Sequence, residues 1–232
     1  MIIYDGTALE SVAPVAIEDI RVGPIELAAV TRPRAIQDGS AFVRMRGGTR
    51  TVAITFAILR QDIQMRQDAL LAVSMWAKAD KEYRLELPLH PGKYLKCVCT
   101  GKPEPSARQW WESKLRLTFT CFDDPYWIDT EEKSAACGTV FTVLGSAPPL
   151  MQIKRTLAAS AANQAYSDGT NTITLTNIST GDLIIDLNRQ TIQLSGNSIM
   201  NQYTVNSSFI VPRTGTMTIS GTGTVYWRER WQ

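Results

Sequence analysis

The sequence predicts a mainly β protein in two parts: a β-rich (α+β) N-terminal domain with one packed helix, then a C-terminal β-sandwich. Three observations lead there. Apolar residues recur at every second position in three segments of the first half, the period of a half-buried strand. One segment between them carries a helical period instead. Charge also changes along the chain: residues 1–137 hold 18 basic and 18 acidic side chains, whereas residues 138–232 hold ten charges among many Thr, Ser, Asn and Gly. A shift of that size marks two domains, placed at 1–133 and 134–232. The charged run Asp129, Glu131, Glu132, Lys133 meets Ser134-Ala135-Ala136 there, as an exposed polar boundary would.

Taken in order, Thr31–Arg50 carries Arg32, Arg34, Arg44, Arg46 and Arg50 against Asp38 alone. Gly39, Gly47 and Gly48 make it a projecting loop or hairpin. Arg50–Leu59 reads RTVAITFAIL, with Val52, Ile54, Phe56 and Ile58 in one phase. Asp62–Ala79 repeats Ile63, Leu70, Val73 and Ala77 at helical steps, with Ala69, Ala72 and Trp76 on the adjoining strip and Asp62 as N-cap. Pro88–Gly92 and Gly101–Ser106 punctuate as loops. Tyr94–Thr100 puts Leu95, Cys97 and Cys99 on one side. Glu112–Phe122 puts Leu115, Leu117, Phe119 and Cys121 on one face and Lys114, Arg116, Thr118 and Thr120 on the other, an antiparallel strand with one wet face.

The second half offers only short strands: Thr139–Leu144, Met151–Thr156, Asn171–Asn177, Leu183–Leu187, Thr191–Leu194, Ser208–Val211, Thr216–Ser220 and Thr224–Arg228. Turn residues such as Asp168-Gly169, Gly196-Asn197 and Gly221-Thr222-Gly223 separate them, the punctuation of a sandwich. Leu157–Gln164, rich in Ala, is the one place for a turn or two of helix.

The inventory excludes much chemistry. The formal charge of +2 argues against a nucleic-acid binder working through bulk positive charge. A single histidine, His90, rules out a two-His metal site or an HExxH protease within one chain. Cys97, Cys99, Cys121 and Cys137 form no CxxC pair. They read as reduced core residues of a protein that folds in a cytoplasm. Met1–Gly6 lacks the basic start and apolar run of a signal peptide, and no apolar stretch is long enough for a membrane span. No Walker loop or GxGxxG is present.

His90, between Pro88 and Pro91, reads as a loop residue rather than a general base, for no nucleophile motif accompanies it. The carboxylate pairs Glu18-Asp19, Asp123-Asp124 and Glu131-Glu132 are neighbours on strands or turns, not acids facing across a cleft. The aromatics Tyr166, Tyr203, Phe209, Trp227 and Trp231 suit core packing, or stacking on sugars if exposed. The arginine hairpin is either a docking element that forks onto a neighbour's carboxylates or a solvated loop. No catalytic, metal or cofactor site is expected.

The order of parts carries a resemblance. Asp5-Gly6 leads to Ile17-Glu18-Asp19-Ile20. The Arg-rich hairpin precedes Thr49–Phe56, and the helix ends in Trp76-Ala77. Gly92-Lys93-Tyr94-Leu95 and Trp110-Trp111 follow, and Leu115–Phe122 runs into Asp124-Pro125-Tyr126-Trp127. Later come Gly181-Asp182-Leu183-Ile184-Ile185-Asp186, Thr191–Gly196 and the closing Val225–Arg230. Over nearly its whole length the chain resembles the distal tail protein family of siphophages, long-tailed phages with non-contractile tails.

The resemblance implies a tail-tube-like N-terminal domain that assembles into a hexameric ring and a galectin-like C-terminal β-sandwich outside it. The ring joins the tail tube protein to the tail-associated tip or baseplate protein, with a receptor-binding protein as a further partner. It implies a non-enzymatic structural protein without cofactors, sequence-specific nucleic acid or membrane. Its place is the virion's tail tip, after assembly in the host bacterial cytoplasm. Arg32, Arg34, Arg44 and Arg46 are then candidates for subunit or tube contacts. The competing function is a carbohydrate-binding module that recognises a host cell-wall glycan through the sandwich.

Overall fold

The computed structural model describes residues 1–232 apart from 34–39, 60–61, 102–103 and 110–111, and only the backbone of 27–33, 40–47, 104–109 and 112–113. Arg34 and Trp110-Trp111 therefore lie outside the described residues, as do the side chains of Arg32, Arg44 and Arg46. The chain divides into two compact units, Met1–Trp127 and Ile128–Gln232.

In the first unit, β1 (Ile3–Tyr4) turns through Asp5-Gly6 into β2 (Thr7–Ala8) and the single turn α1 (Leu9–Val12). Then come β3 (Val15–Val22), β4 (Leu27–Pro33), β5 (Ser40–Gly47), β6 (Arg50–Ile58), α2 (Ile63–Trp76), β7 (Tyr83–Glu86), β8 (Lys93–Cys99), β9 (Glu104–Gln109) and β10 (Glu112–Cys121). β11 (Trp127–Asp129) spans the division. Antiparallel pairing orders the main sheet β2-β1-β7-β8-β10-β6-β3.

Register makes this sheet a core. Leu115 pairs with Phe56, Leu117 with Ile54 and Phe119 with Val52, so two inward phases coincide. All six are buried, as are Leu95, Cys97, Cys99 and Cys121. Each such side chain contributes about 1.5–3 kcal/mol of burial. Tyr4 is the hub of the aromatic part: Trp76, Tyr83 and Phe119 meet it edge-on at centroid distances of 5.5, 5.5 and 5.0 Å. Its hydroxyl lies 2.9 Å from the Lys78 carbonyl and 3.2 Å from that of Cys97, which satisfies the polar end of a ring with 1% exposure.

α2 starts where Asp62 predicts: the Asp62 carboxylate accepts the Met65 N–H at 3.0 Å. Its buried strip differs from the expected one. Ala69, Val73 and Trp76, spaced i, i+4, i+7, face the core, while Ile63 is 72% and Leu70 37% exposed. Contact through so narrow a strip leaves the flanking apolar positions outside. A second difference concerns Gly101–Ser106, expected as a loop: Glu104–Gln109 is a strand, with Pro105 opposite Leu115. Among the described residues β9 pairs only with β10, and an edge strand tolerates a proline that lacks an N–H.

The second unit contains β12 (Lys133–Ala136), β13 (Val140–Val143), β14 (Ala147–Leu157), β15 (Ala161–Ser167), β16 (Thr172–Ile178), β17 (Gly181–Asp186), β18 (Thr191–Leu194) and β19 (Asn197–Ser198). A short 3-10 turn at Met200–Gln202 precedes β20 (Gly215–Thr218) and β21 (Thr224–Trp231). One layer runs β19-β18-β17-β14-β21-β12. The pairs β13·β20 and β15·β16 form the other, linked by a bridge between Ser167 and Ser220. Both layers send alternate residues into one core, from Phe141 and Met217 to Ile153, Leu175, Ile185 and Val225. This is the β-sandwich that the sequence predicts.

Three local expectations differ here. Lys133–Ala136 is not a linker but a strand paired with Thr224–Trp227. Ala161–Gln164 is strand, not helix, because its partner Thr172–Ile178 supplies a ladder that overrides alanine's propensity. Ser208–Val211 forms no strand. Ser208 N–H bonds the Thr172 carbonyl and Ser207 Oγ accepts the Thr174 N–H, so side-chain and single backbone bonds replace a ladder.

Candidate functional site

Residues that suggest chemistry in the sequence turn out to have structural partners. His90 is exposed, its ring packed 4.4 Å from that of Trp127, and its imidazole makes no hydrogen bond among the described residues. Cys97, Cys99 and Cys121 are buried free thiols. Burial, and then a hydrogen bond with Cys121, pushes the Cys97 thiol far above its ordinary range, the opposite of an activated nucleophile. Among the described residues no three His, Cys, Asp or Glu side chains cluster as a metal site. No helix there is long and apolar enough to cross a membrane.

Of the three carboxylate pairs, Glu18, Asp19 and Glu132 form ion pairs. Glu82 accepts the N–H groups of Phe122 and Asp123 at 2.7 and 3.1 Å, which closes the turn after β10. Glu18 pairs with Lys114 at 3.1 Å and Asp19 with Arg21 at 2.5 Å. Glu132 lies 3.7 Å from Arg228 Nε and 3.8 Å from Lys154 Nζ. The aromatics of the second unit serve its core: Tyr166 is wholly buried, and Trp227 stacks on Phe141 at 4.6 Å. Tyr203 and Phe209 stack at 5.1 Å against the same core. Trp231 donates its Nε1–H to Asp129 at 2.9 Å.

What remains is surface. β4 and β5 form a two-stranded antiparallel hairpin apart from the main sheet. Register places Arg46 opposite Ala28, Arg44 opposite Val30 and Arg32 opposite Ala41, with an irregularity between Val30 and Thr31. Three of the four candidate arginines thus share one ladder.

The outer side of α2 is a second surface, and the sequence reading missed it by assigning Ile63 and Leu70 to the core. Ile63, Met65, Leu71 and Met75 are 57–72% exposed. Beside them lies a shallow cleft of about 300 Å³ between Val12, Ala72, Met75 and Trp76, with Thr7 and the Asp5–Lys78 ion pair (2.7 Å) at its polar end.

The architecture defines a class: an antiparallel sheet carrying one helix and one detached hairpin, followed in sequence by a β-sandwich. No protein-family model matches the chain, and no curated protein matches it in sequence. Among solved structures it is similar to Dit of phage SPP1, described as a paradigm of the hub adsorption apparatus in phages infecting Gram-positive bacteria. The TM-score is 0.78 at 17% identity, over 100% of this chain and 98% of that one. Two structures of the phage p2 baseplate in its activated conformation, with Sr and with Ca, each align at TM-score 0.44 and 7% identity. They cover 93% and 94% of this chain and 90% of theirs. The chain has the fold of SPP1 Dit in both of its parts.

Proposed function

We propose that the chain is a structural virion protein of a siphophage, a subunit of a hexameric ring at the distal end of the tail. In this reading the ring joins the tail tube to the tip or baseplate proteins used in host adsorption. The observation that carries it is the end-to-end fold likeness to a hub adsorption protein. The first unit, 1–133 in the sequence division, is the ring-forming part and the second the outward module. Arg32, Arg44 and Arg46 belong to a hairpin that is not paired with the main sheet, which supports the assignment of Arg32, Arg34, Arg44 and Arg46 to subunit or tube contacts. A ring closes by a heterologous contact, so each copy presents two different faces. The role is mechanical rather than catalytic.

The carbohydrate-binding alternative draws little from the aromatics, since Tyr166 and Trp227 are core residues. Solution mass by light scattering over a concentration series, with negative-stain imaging of the largest species, tests the proposal. A six-fold ring with a central hole is expected. A chain that stays monomeric throughout overturns the self-closing ring.

A further inference from the structure

Of the fourteen large apolar side chains exposed among the described residues, five fall on the single helix α2: Ile63, Met65, Leu70, Leu71 and Met75. Its other side is committed to the core through Ala69, Val73 and Trp76. The helix is therefore apolar nearly all round, the composition of an element covered on both sides. The polar residues interleaved on the outer side, Gln64, Gln67 and Ser74, are exposed and uncharged. At about 100° per residue, Arg66 and Asp68 fall toward its opposite flanks.

The five side chains leave roughly 600 Å² in water, the upper end for the largest apolar patch of a monomer. A standard interface buries about 800 Å² on each partner, so α2 supplies most of one side. The cleft of about 300 Å³ beside Met75 and Trp76 continues the same surface. Composition then selects the occupant. Interfaces between copies of one chain are more apolar than transient ones, which resemble ordinary protein surface. A charge-free strip of Ile, Leu and Met matches the first kind. A copy is also present wherever the chain is made, so the patch is not left bare to aggregate.

We propose that the outer side of α2 is covered by a neighbouring copy of this chain and forms the apolar half of the contact between subunits. This rests on the ring reading above. The contact is heterologous, so α2 of one copy meets a different surface of the next, and in a closed ring every α2 is covered alike.

The test uses the full chain. Leu71 and Met75 are exposed, so the double variant Leu71→Ser/Met75→Ser is expected to keep the circular dichroism and urea midpoint of the dilute wild type. By light scattering over the same concentration series it is expected to associate at least tenfold more weakly. In the wild type, oxidation of Met75 by dilute peroxide, followed by mass spectrometry, is expected to slow at least tenfold when the ring forms.

Undiminished association of the double variant overturns the proposal and leaves the ring reading intact; α2 would then face a tube or tip protein. A wild-type chain that never associates overturns both. If the double variant fails to fold, the wild type decides: Met75 oxidised equally fast in subunit and ring overturns the proposal.

Discussion

Gly221 passes so close to Tyr166 that a β-carbon on it would stand 2.6 Å from the ring's Cδ1 and 2.8 Å from the Ala165 carbonyl oxygen. Its φ of +122° is in any case a conformation that only glycine adopts readily. The turn into β21 therefore depends on an absent side chain. Gly221→Ala is expected to cost about 2–3 kcal/mol through strain and overpacking. Gly169→Ala, also at positive φ but with open space around it, should cost about 1 kcal/mol. Denaturant melts of the two variants check the difference; equal losses would contradict it.

Glu229 and Lys133 form an asymmetric pair, the acid 1% and the lysine 34% exposed. Removing the lysine strands the buried acid, whereas removing the acid frees a lysine that water can reach. Lys133→Met is therefore expected to lose about 3 kcal/mol. Glu229→Gln, which retains an acceptor for the Leu144 N–H, should lose less. Thermal midpoints in the reverse order would refute this account.

The two sides of α2 make separate predictions. Trp76 is buried, donates Nε1–H to the Thr7 carbonyl at 2.9 Å and meets Tyr4 and Phe119 edge-on. Trp76→Ala should destabilise the fold by about 3–5 kcal/mol. Met75→Ser, one residue away but 71% exposed, should change monomer stability by at most about 0.5 kcal/mol. Urea titration of dilute samples distinguishes them.

Stability is expected to fall on the alkaline side. Burial raises the native pKa values of Tyr4, Cys97, Cys99, Cys137 and Tyr166. In the unfolded chain, thiols titrate near about 8.5 and tyrosines near about 10. Above those values the unfolded state releases protons that the native state keeps, so each proton lost favours unfolding. The contribution is intact below about pH 8 and is lost as pH rises through the raised native values. Urea midpoints at pH 7, 9 and 10.5 should descend; a flat series would be inconsistent with buried, protonated thiols.

Charge reversal at Arg44 and Arg46 tests the hairpin. The double variant Arg44→Glu/Arg46→Glu should keep the monomer's circular dichroism and melting point and lose the ring. Rings that persist unchanged would make the hairpin a solvated loop.

Much of this fold is legible in the strands because period two is a local property. Val52, Ile54, Phe56 and Ile58, and Leu115 to Cys121, announce a buried face without knowledge of any partner. Arg50 and Glu229 share the phase of their apolar neighbours and lie inward, although in the sequence Arg50 counts with the projecting arginine loop. Phase says nothing about whether a buried charge is answered: Lys133 is 96 residues from Glu229 in sequence. Pro105 misleads in the other direction. A proline argues for a loop, and only the strand's position at an edge makes it acceptable.

The sequence by itself determined the class, β-rich with one helix and then a sandwich, and excluded a two-histidine metal site. Those conclusions rest on residue type and short-range periodicity. Tertiary structure alone decided which strip of α2 faces the sheet, that Ala161–Gln164 joins a ladder, and that buried Arg50 has no partner for Nε and Nη1 among the described residues while buried Glu229 has Lys133. Each of these depends on contacts between segments distant in sequence, and no local pattern encodes where a distant segment comes to lie.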